Sequence, residues 1–156
     1  MAKKKYSKYG VDLSAKGKKN RTEDGITFDS DLECRYYREV VKEGIKDGTI
    51  DHCDLQVKYQ LQPKFEKKGK KYLPINYVAD FVIYYTDGSV LVVDTKGLPD
   101  ATAKLKKKLM DFCYPDLDYI WVGYSKIDGG WLEYSELEKK RKQRKKEKDR
   151  KESKGN

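Results

Sequence analysis

Two aspartates and a lysine stand close together in two apolar runs near the middle of the chain. Asp80 interrupts the first run, and the second run ends in Asp94-Thr95-Lys96. Both runs are apolar almost throughout, as strands covered on both faces are, and charge inside a sheet is costly unless it is paired or binds a metal. Side chains two apart on a strand share a face, so Asp94 and Lys96 emerge together while Thr95 takes the other face. The spacing therefore predicts an acidic site with one ammonium group.

The Asp87-Gly88 turn between the two runs decides whether Asp80 joins this site. A two-residue loop would place Asp80 opposite Thr95, on the wrong face. A three-residue loop with Gly88 in a left-handed bulge would place Asp80 opposite Asp94, so that Asp80, Asp94 and Lys96 share one face. Two carboxylates opposite each other repel unless a cation lies between them, and hard divalent ions take carboxylate oxygens. The second register therefore predicts a site for Mg²⁺ or Mn²⁺.

These residues carry a resemblance to a known family. Ala79-Asp80, a short hairpin and Asp94-Thr95-Lys96 resemble the PD-(D/E)xK signature of the restriction-endonuclease-like nuclease superfamily. Alanine stands in place of the signature's proline, and aspartate in place of its commoner glutamate. A wider set of residues resembles small phage-type endonucleases and Holliday-junction resolvases of that superfamily. This set comprises Gln62-Pro63-Lys64-Phe65, Tyr77-Val78-Ala79-Asp80-Phe81 and Val93-Asp94-Thr95-Lys96-Gly97.

The resemblance implies a metal-dependent DNA endonuclease that hydrolyses phosphodiester bonds and prefers branched DNA. Asp80 and Asp94 would hold Mg²⁺ or Mn²⁺ with the Thr95 carbonyl, and Lys96 would stabilise the charge that develops on the phosphate. The resemblance also places one more carboxylate of the metal site, Glu33, on the first helix. The other interpretation of Glu33 is a glutamate favoured at a helix N-terminus by the helix dipole.

Charge is unevenly distributed along the chain. The formal net charge is +9, to which residues 1–24 and residues 133–156 contribute +5 each and the residues between them −1. Basic tails around a neutral domain suit a partner with a phosphate backbone, although charge runs can also serve only solubility. We expect a disordered basic arm over residues 1–24, a nuclease domain over residues 25–132, and a basic extension, helical or disordered, over residues 133–156.

The cysteine and histidine content argues against several other kinds of site. Cys34, Cys53 and Cys113 are odd in number and lack C-x-x-C spacing, and His52 is the only histidine. A disulfide framework, a zinc tetrad and a Ser-His-Asp or Cys-His catalytic group are therefore not expected. With no signal-peptide pattern and no long apolar run, the sequence indicates a cytoplasmic protein, in the bacterial host if it is phage-encoded.

Periodicity predicts the elements before the two central runs. A helix is expected from an N-cap at Asp29 or Ser30 to Asp47, ending at Gly48, with Glu33 bordering its apolar stripe. That stripe contains Leu32, Tyr36, Tyr37, Val40, Val41 and Ile45. Strict alternation then predicts a half-buried strand with Leu55, Val57, Tyr59 and Leu61 on one face.

Two lysine-rich segments are candidate contacts with DNA. Residues 63–74 predict a basic hairpin that turns near Gly69, and residues 100–113 predict a second helix. A solvated loop and a plain amphipathic helix are the alternatives. The candidate nucleic-acid-binding residues are Lys67, Lys68, Lys70, Lys71, Lys104, Lys107 and Lys108, and the expected buried stripe of the helix is Leu105, Leu109 and Phe112. A last buried strand is predicted over residues 119–123.

Together these elements predict an α/β fold, namely a three-layer sandwich with a small mixed sheet and an αβββαβ core flanked by basic tails. A four-way junction needs two nicks on opposed strands and one chain offers one site, so a homodimer is expected. The competing function class is a nucleic-acid-binding protein that keeps this fold without catalysis. Within nucleases, a nicking or flap endonuclease without junction preference is the alternative.

Overall fold

The computed structural model describes Ser7 and residues 10–154. Its helices are α1 (Ala15–Asn20), α2 (Asp31–Tyr36), α3 (Lys42–Asp47), α4 (Ala101–Cys113) and α5 (Tyr134–Lys154). Its strands are β1 (Thr22–Glu23), β2 (Ile26–Thr27), β3 (Ile50–Gln62), β4 (Phe65–Lys67), β5 (Lys70–Tyr72), β6 (Ile75–Tyr85), β7 (Val90–Thr95), β8 (Tyr119–Ser125) and β9 (Gly130–Glu133). A π-helical segment, Tyr37–Val41, joins α2 to α3, and a 3₁₀ turn, Lys126–Asp128, precedes β9.

A five-stranded mixed sheet in the order β3-β6-β7-β8-β9 forms the middle layer. All neighbours in it are antiparallel except β7 and β8, which are parallel and are connected through α4. A parallel pair needs such a crossover, which places a helix on the sheet. The α/β sandwich and its αβββαβ core are therefore as predicted, with β9 as an additional edge strand. Among the described residues, no helix is both long and apolar enough to cross a membrane.

Each face of the sheet is covered by its own hydrophobic core. The first core lies between the sheet and α2 to α3, and its buried residues include Cys34, Tyr36, Val41, Phe81, Ile83 and Val93. The second core lies between the sheet and α4 and α5, and its buried residues include Tyr77, Ala79, Val92, Met110, Trp121 and Leu137. The central strands are buried from both sides, which explains why their sequences are apolar almost throughout.

The β6–β7 hairpin has the three-residue register. Phe81 pairs with Val93, and the Tyr85 amide donates to the Ser89 carbonyl at 2.9 Å. Gly88 has φ +87°, a left-handed conformation that a residue without Cβ adopts at little cost. This prediction is confirmed, and it is the register that brings Asp80 to the level of the end of β7.

The first helix begins and ends where it was predicted but contains an irregularity. Ser30 is its N-cap and Gly48, in a left-handed conformation, its C-cap. The π-helical segment adds a residue to one turn and so rotates α3 relative to α2. As a result Gly44 is buried, where a Cβ would lie 2.4 Å from Ile50 Cδ1. Ile45 is 44% exposed, so its place in the buried stripe was predicted wrongly.

The strand β3 begins at Ile50, earlier than predicted, and changes faces at Gln56. Leu55 packs against the first core, whereas Val57, like the later apolar residues of the strand, packs against the second. The prediction that Leu55 shares a face with Val57 is therefore wrong. The cause is a left-handed backbone at Gln56, φ +53°, which rotates the strand opposite Asp80.

The helix α4 is rotated relative to the prediction. Leu105 is 58% exposed and Phe112 is 81% exposed, so two of the three residues that were expected to be buried face solvent, while Leu109 is half-buried. Met110 is the buried residue instead, with Ala103 packed against the second core. The ammonium of Lys106 donates to the Asn76 carbonyl at 3.0 Å, so the stem of this lysine lies along the contact between α4 and β6.

The N-terminal segment is more ordered than was expected, and the C-terminal extension has the helical one of its two predicted states. Residues 15–20 form α1, and the buried Arg21 after it donates through Nε to the Phe28 carbonyl at 2.8 Å. The expectation of a disordered arm is therefore wrong for this part, while residues 1–6 and 8–9 lie outside the described residues. At the other end α5 is helical, and Tyr134 and Leu137 in its first turn are 6% and 0% exposed. Its start thus belongs to the second core.

Candidate active site

Asp94 is the centre of the candidate site. It lies near the end of β7 and is 1% exposed. Its Oδ2 forms an ion pair with the Lys96 ammonium and accepts a hydrogen bond from the Tyr77 hydroxyl at 2.5 Å. The side chains of Asp94 and Lys96 lie on the same face of β7, as their spacing predicted. Pairing and hydrogen bonding offset the cost of burying this carboxylate.

A chain of aromatic hydrogen bonds supports Asp94. The Trp121 Nε1–H donates to the Tyr119 hydroxyl oxygen at 2.6 Å, and the Tyr119 hydroxyl donates to the Tyr77 oxygen at 2.5 Å. Burial is the main reason that the pKa of both tyrosines is raised above the ordinary value, so both hydroxyls keep their protons and donate. Sequence reasoning assigned these three residues no role in the site. The available signal was that Asp94, predicted to be buried, required donors from neighbouring strands.

Asp80 contacts Asp94 through its backbone but turns its carboxylate the other way. Its N–H donates to Asp94 Oδ1 at 3.3 Å, while its own Oδ2 accepts from the Thr95 N–H at 2.8 Å and the Thr95 hydroxyl at 3.0 Å. The expectation that Asp80, Asp94 and Lys96 share one face is therefore wrong for Asp80. The face change at Gln56 and Asp80 turns this side chain towards the first core.

Glu33 and Asp80 line one cavity of about 120 Å³ between the start of α2 and the sheet. Glu33 is 8% exposed, and the Ser30 hydroxyl donates to its Oε1 at 2.9 Å. The Glu33 N–H in turn donates to the Ser30 hydroxyl at 3.1 Å, so the pair forms a reciprocal capping arrangement. Both interpretations of Glu33 thus have structural support. The cavity is lined by Ile26, Thr27, Phe28, Asp29, Glu33, Leu55, Gln56 and Asp80.

The carboxyl groups of Asp80 and Glu33 both have a raised pKa. Burial, followed by the negative charges of Asp94 and Glu33, raises the pKa of Asp80 to about 8. Burial also raises the pKa of Glu33, although the Ser30 hydroxyl partly opposes this shift. The region around Asp80 therefore favours an added positive charge, either a proton or a cation.

The donor chemistry suits a hard divalent cation, but the described residues do not form a complete ligand cage. No group of three or more His, Cys, Asp or Glu side chains is placed to hold a metal ion among the described residues. The oxygen atoms of Asp80, Glu33 and Asp94 are nevertheless the ligand type that Mg²⁺ and Mn²⁺ take. Asp80 and Glu33 line the same cavity, whereas both Asp94 oxygens already have partners. The Thr95 carbonyl stays a predicted ligand.

The candidate DNA-binding lysines fall into two groups. Lys67, Lys68, Lys70 and Lys71 are exposed on the β4–β5 hairpin, as predicted. On α4, Lys104 and Lys108 are exposed. The Lys107 ammonium lies 3.1 Å from Asp111 Oδ2 and 4.7 Å from the centre of the Tyr119 ring. A second cavity, of about 280 Å³, lies beside Trp121 and is lined in part by Lys104 and Lys107. The α4 lysines thus lie on the face of the sheet that carries Lys96.

Comparison with known proteins places the chain in a family. A family model described as "Protein of unknown function (DUF1064)" matches residues 13–128. Comparison with the curated proteins finds no match. The matched residues include Glu33, Asp80, Asp94 and Lys96 and stop before α5. The family description names no activity, so the resemblance to nucleases stays a prediction. Since the match covers roughly three quarters of the chain, the protein belongs to the family of unknown function DUF1064.

Proposed function

We propose that the protein is a metal-dependent DNA endonuclease that hydrolyses phosphodiester bonds and is selective for branched DNA. The observation that carries this proposal is the buried ion pair of Asp94 and Lys96 with the Asp80 backbone hydrogen-bonded to it. A protein that only bound nucleic acid would gain nothing from burying a carboxylate beside the ammonium that binds phosphate. Two carboxylates and one ammonium close together near the end of β7 suit hydrolysis of a phosphodiester.

In this proposal the Lys96 ammonium contacts the phosphate of the substrate. Its side chain is 24% exposed, and the ion pair with Asp94 holds the ammonium in place. A compact ammonium at this position stabilises the charge that develops on the phosphate and orients an attacking water. Asp94 is in turn held by the Tyr77 hydroxyl, which limits the orientations that the ion pair adopts.

Asp80 and Glu33, which line one cavity, would hold the metal ion. Asp94, whose oxygens are paired with Lys96, Tyr77 and the Asp80 N–H, and the Thr95 carbonyl stay the further oxygen ligands that the resemblance implies. A bound Mg²⁺ or Mn²⁺ ion would supply Lewis-acid polarisation of the phosphate and a hydroxide nucleophile. The Thr95 N–H and hydroxyl orient the Asp80 carboxylate, and the Ser30 hydroxyl orients Glu33. Outer contacts of this kind restrict the ligands before the ion binds.

The test compares single variants of the site with matched surface variants. We expect Asp80→Asn, Asp94→Asn and Lys96→Ala each to abolish cleavage of a four-way junction in Mg²⁺, while Asp116→Asn and Lys58→Ala at exposed positions cleave like the wild type. Glu33→Gln retains the capping contact, because glutamine is accepted at that position, and should still lose activity. Thermal unfolding of each variant checks that the fold is intact.

The substrate and metal dependence are measured in the same assay. Cleavage is compared on a four-way junction, a duplex and a single strand, in Mg²⁺, Mn²⁺, Ca²⁺ and excess chelator. We expect Mg²⁺ and Mn²⁺ to support cleavage and Ca²⁺ to support binding only, since its looser coordination misplaces the attacking water. Full cleavage by Asp80→Asn, Asp94→Asn or Lys96→Ala, or full activity in chelator, would refute the proposal.

A homodimer is part of this proposal, since a junction needs two nicks. Light scattering should give a protein mass of about twice the 18.2 kDa chain mass after the mass of the bound junction is subtracted, and nicks should be paired on opposed strands. A monomer that nicks one strand would leave a nicking or flap endonuclease as the function.

A nucleic-acid-binding protein without catalysis is the second candidate function. It is favoured by the occupied oxygens of Asp94 and by the incomplete ligand cage among the described residues. The same assay separates the two candidates. Metal-independent binding of DNA by the wild type, with no cleavage in Mg²⁺ or Mn²⁺, would establish the binding protein instead.

A further inference from the structure

The β4–β5 hairpin forms an arm, residues 63–75, that projects from the sheet. Every side chain in this range is exposed. Pro63 and Pro74 separate the arm from the longer strands β3 and β6, because proline cannot donate to a strand ladder. Two consecutive left-handed residues, Lys68 at φ +51° and Gly69 at φ +75°, form its turn. The arm buries no side chain, so the hydrophobic core does not account for its composition.

One face of the arm combines two aromatic rings with two lysines. Phe65 and Tyr72 are cross-strand partners whose rings are stacked, with centroids 4.6 Å apart and planes within 1°. They remain 42% and 38% exposed. Lys67 and Lys70 form the next cross-strand pair on the same side, since residues two apart share a face. The Lys70 ammonium lies 5.2 Å from the centre of the Tyr72 ring.

This arrangement is unfavourable for the isolated protein. Like charges directly opposite each other destabilise an antiparallel pair, and Lys67 and Lys70 are such a pair. Exposed aromatic rings together with the exposed Leu73 and Ile75 also leave apolar surface in water. A partner with negative charge and flat aromatic rings would neutralise the two lysines and cover the exposed aromatic side chains. Of the charged residues from 64 to 71, Glu66 alone is acidic, against five lysines.

The arm lies at the end of the sheet that carries the candidate site. Because β7 runs antiparallel to β6, its carboxyl end at Thr95 points towards the start of β6, from which the arm extends. Asp80 is five residues beyond Ile75, which corresponds to roughly 17 Å along an extended strand. A strand of nucleic acid bound at Lys96 would therefore reach the arm within a few nucleotides.

We propose that the arm binds unpaired bases of nucleic acid. The Phe65–Tyr72 stack is the platform on which a base stacks, and Lys67 and Lys70 contact the flanking phosphates. This proposal rests on the proposed function, because it takes DNA as the ligand. It adds that the arm recognises the single-stranded segment near a branch. Paired bases are already stacked inside a duplex, so the aromatic platform discriminates against an intact duplex.

The test measures binding without cleavage. Fluorescence anisotropy of a labelled oligothymidylate is recorded in chelator for the wild type and for Phe65→Ala/Tyr72→Ala. The matched control is Leu105→Ala/Phe112→Ala, which removes two exposed apolar side chains from α4. We expect the arm variant to lose between about 5- and 150-fold in affinity, the range for one stacked base. Its affinity for a blunt duplex should stay within about twofold, and the control should bind both like the wild type.

The salt dependence of binding tests the phosphate contacts assigned to Lys67 and Lys70. Lys67→Gln/Lys70→Gln should reduce the slope of log affinity against log salt concentration by about 0.7 for each phosphate contact to a single strand. The two arm variants should unfold within a few degrees of the wild-type temperature, since residues 63–75 bury no side chain. An unchanged slope would remove the assigned phosphate contacts.

Three results would overturn the proposal. They are wild-type affinity in the Phe65→Ala/Tyr72→Ala variant, an equal loss in the α4 control, and a change from dimer to monomer in the arm variant, which would make the arm a contact between copies. The nuclease proposal fails separately. If binding to a single strand depends on the arm but the wild type cleaves nothing in Mg²⁺ or Mn²⁺, only the proposed catalysis is wrong.

Discussion

The contact between Leu137 and Gly123 provides a quantitative test of how α5 docks on the sheet. Leu137 is fully buried, and a Cβ added at Gly123 on β8 would lie 2.6 Å from its Cδ2. The same Cβ would lie 3.2 Å from the Lys96 carbonyl oxygen and 3.4 Å from Tyr134 Cδ2. The absence of a side chain at Gly123 therefore lets the first turn of α5 approach β8 beside the candidate site.

Each single substitution should destabilise the protein for a different reason. Leu137→Ala removes a buried side chain and leaves a cavity, for which we expect a loss of about 2 to 5 kcal/mol in the free energy of unfolding. Gly123→Ala adds a methyl group that collides with Leu137, and overpacking of this kind costs about 1 to 3 kcal/mol. In the double variant the new methyl group occupies part of the space that the leucine vacated. The double variant should therefore lose at least about 1 kcal/mol less than the sum of the two single losses.

Urea unfolding of the four proteins, followed by tryptophan fluorescence, measures this coupling. Trp121 lies in the same core as Leu137, so its emission reports on the contact. Ile127→Ala, at a side chain that is 83% exposed, is the control and should change the free energy of unfolding by less than about 0.5 kcal/mol. Losses that add within about 0.5 kcal/mol would refute the docking of α5 on Gly123, because residues without contact behave additively.

Two further substitutions test the surroundings of the site. Tyr77→Phe removes the hydroxyl donor to Asp94 and should lower the free energy of unfolding, measured in urea, by about 1 to 3 kcal/mol. Its control is Tyr59→Phe, at the half-buried cross-strand partner, which should lower it by less than about 0.5 kcal/mol. Equal losses would mean that the hydrogen bond to Asp94 contributes nothing to stability. Gln56→Gly should be neutral or stabilise the protein by up to about 1 kcal/mol, because glycine tolerates the φ of +53°. Its control is Lys58→Gly, at an exposed position of the same strand, which should destabilise the protein by about 0.5 to 1 kcal/mol. A similar loss at both positions would show that Gln56 is not strained.

Features that depend on neighbouring residues were predictable from the sequence. The Asp87-Gly88 turn allows two registers, and the structure has the one with Gly88 in a left-handed bulge. Ser30 and Gly48 bound the first helix because a hydroxyl N-cap and a left-handed glycine are properties of a few consecutive residues. The exposed β4–β5 arm was predictable for the same reason, since its lysines and its glycine turn need no tertiary partner.

Side-chain orientation depended on tertiary contacts. In α4 the sequence predicts a buried stripe of Leu105, Leu109 and Phe112, whereas the packed helix buries Met110 and directs Lys106 to the Asn76 carbonyl. The left-handed backbone at Gln56 turns Asp80 towards Thr95, although strict alternation in β3 predicts no interruption. A single conformational change of this kind alters which side chains meet, and no local pattern marks it.

The sequence by itself determined the α/β class, the order of the elements in the αβββαβ core and the common face of Asp94 and Lys96, and it limited the β6–β7 hairpin to two registers. These follow from short-range periodicity and turn geometry, which a few adjacent residues specify. Only the tertiary structure decided that Tyr77, Tyr119 and Trp121 support Asp94, that Asp80 faces a cavity with Glu33, and that α5 joins the core through Leu137. Those contacts join residues far apart in the chain, and each depends on how two layers are rotated against each other as they pack.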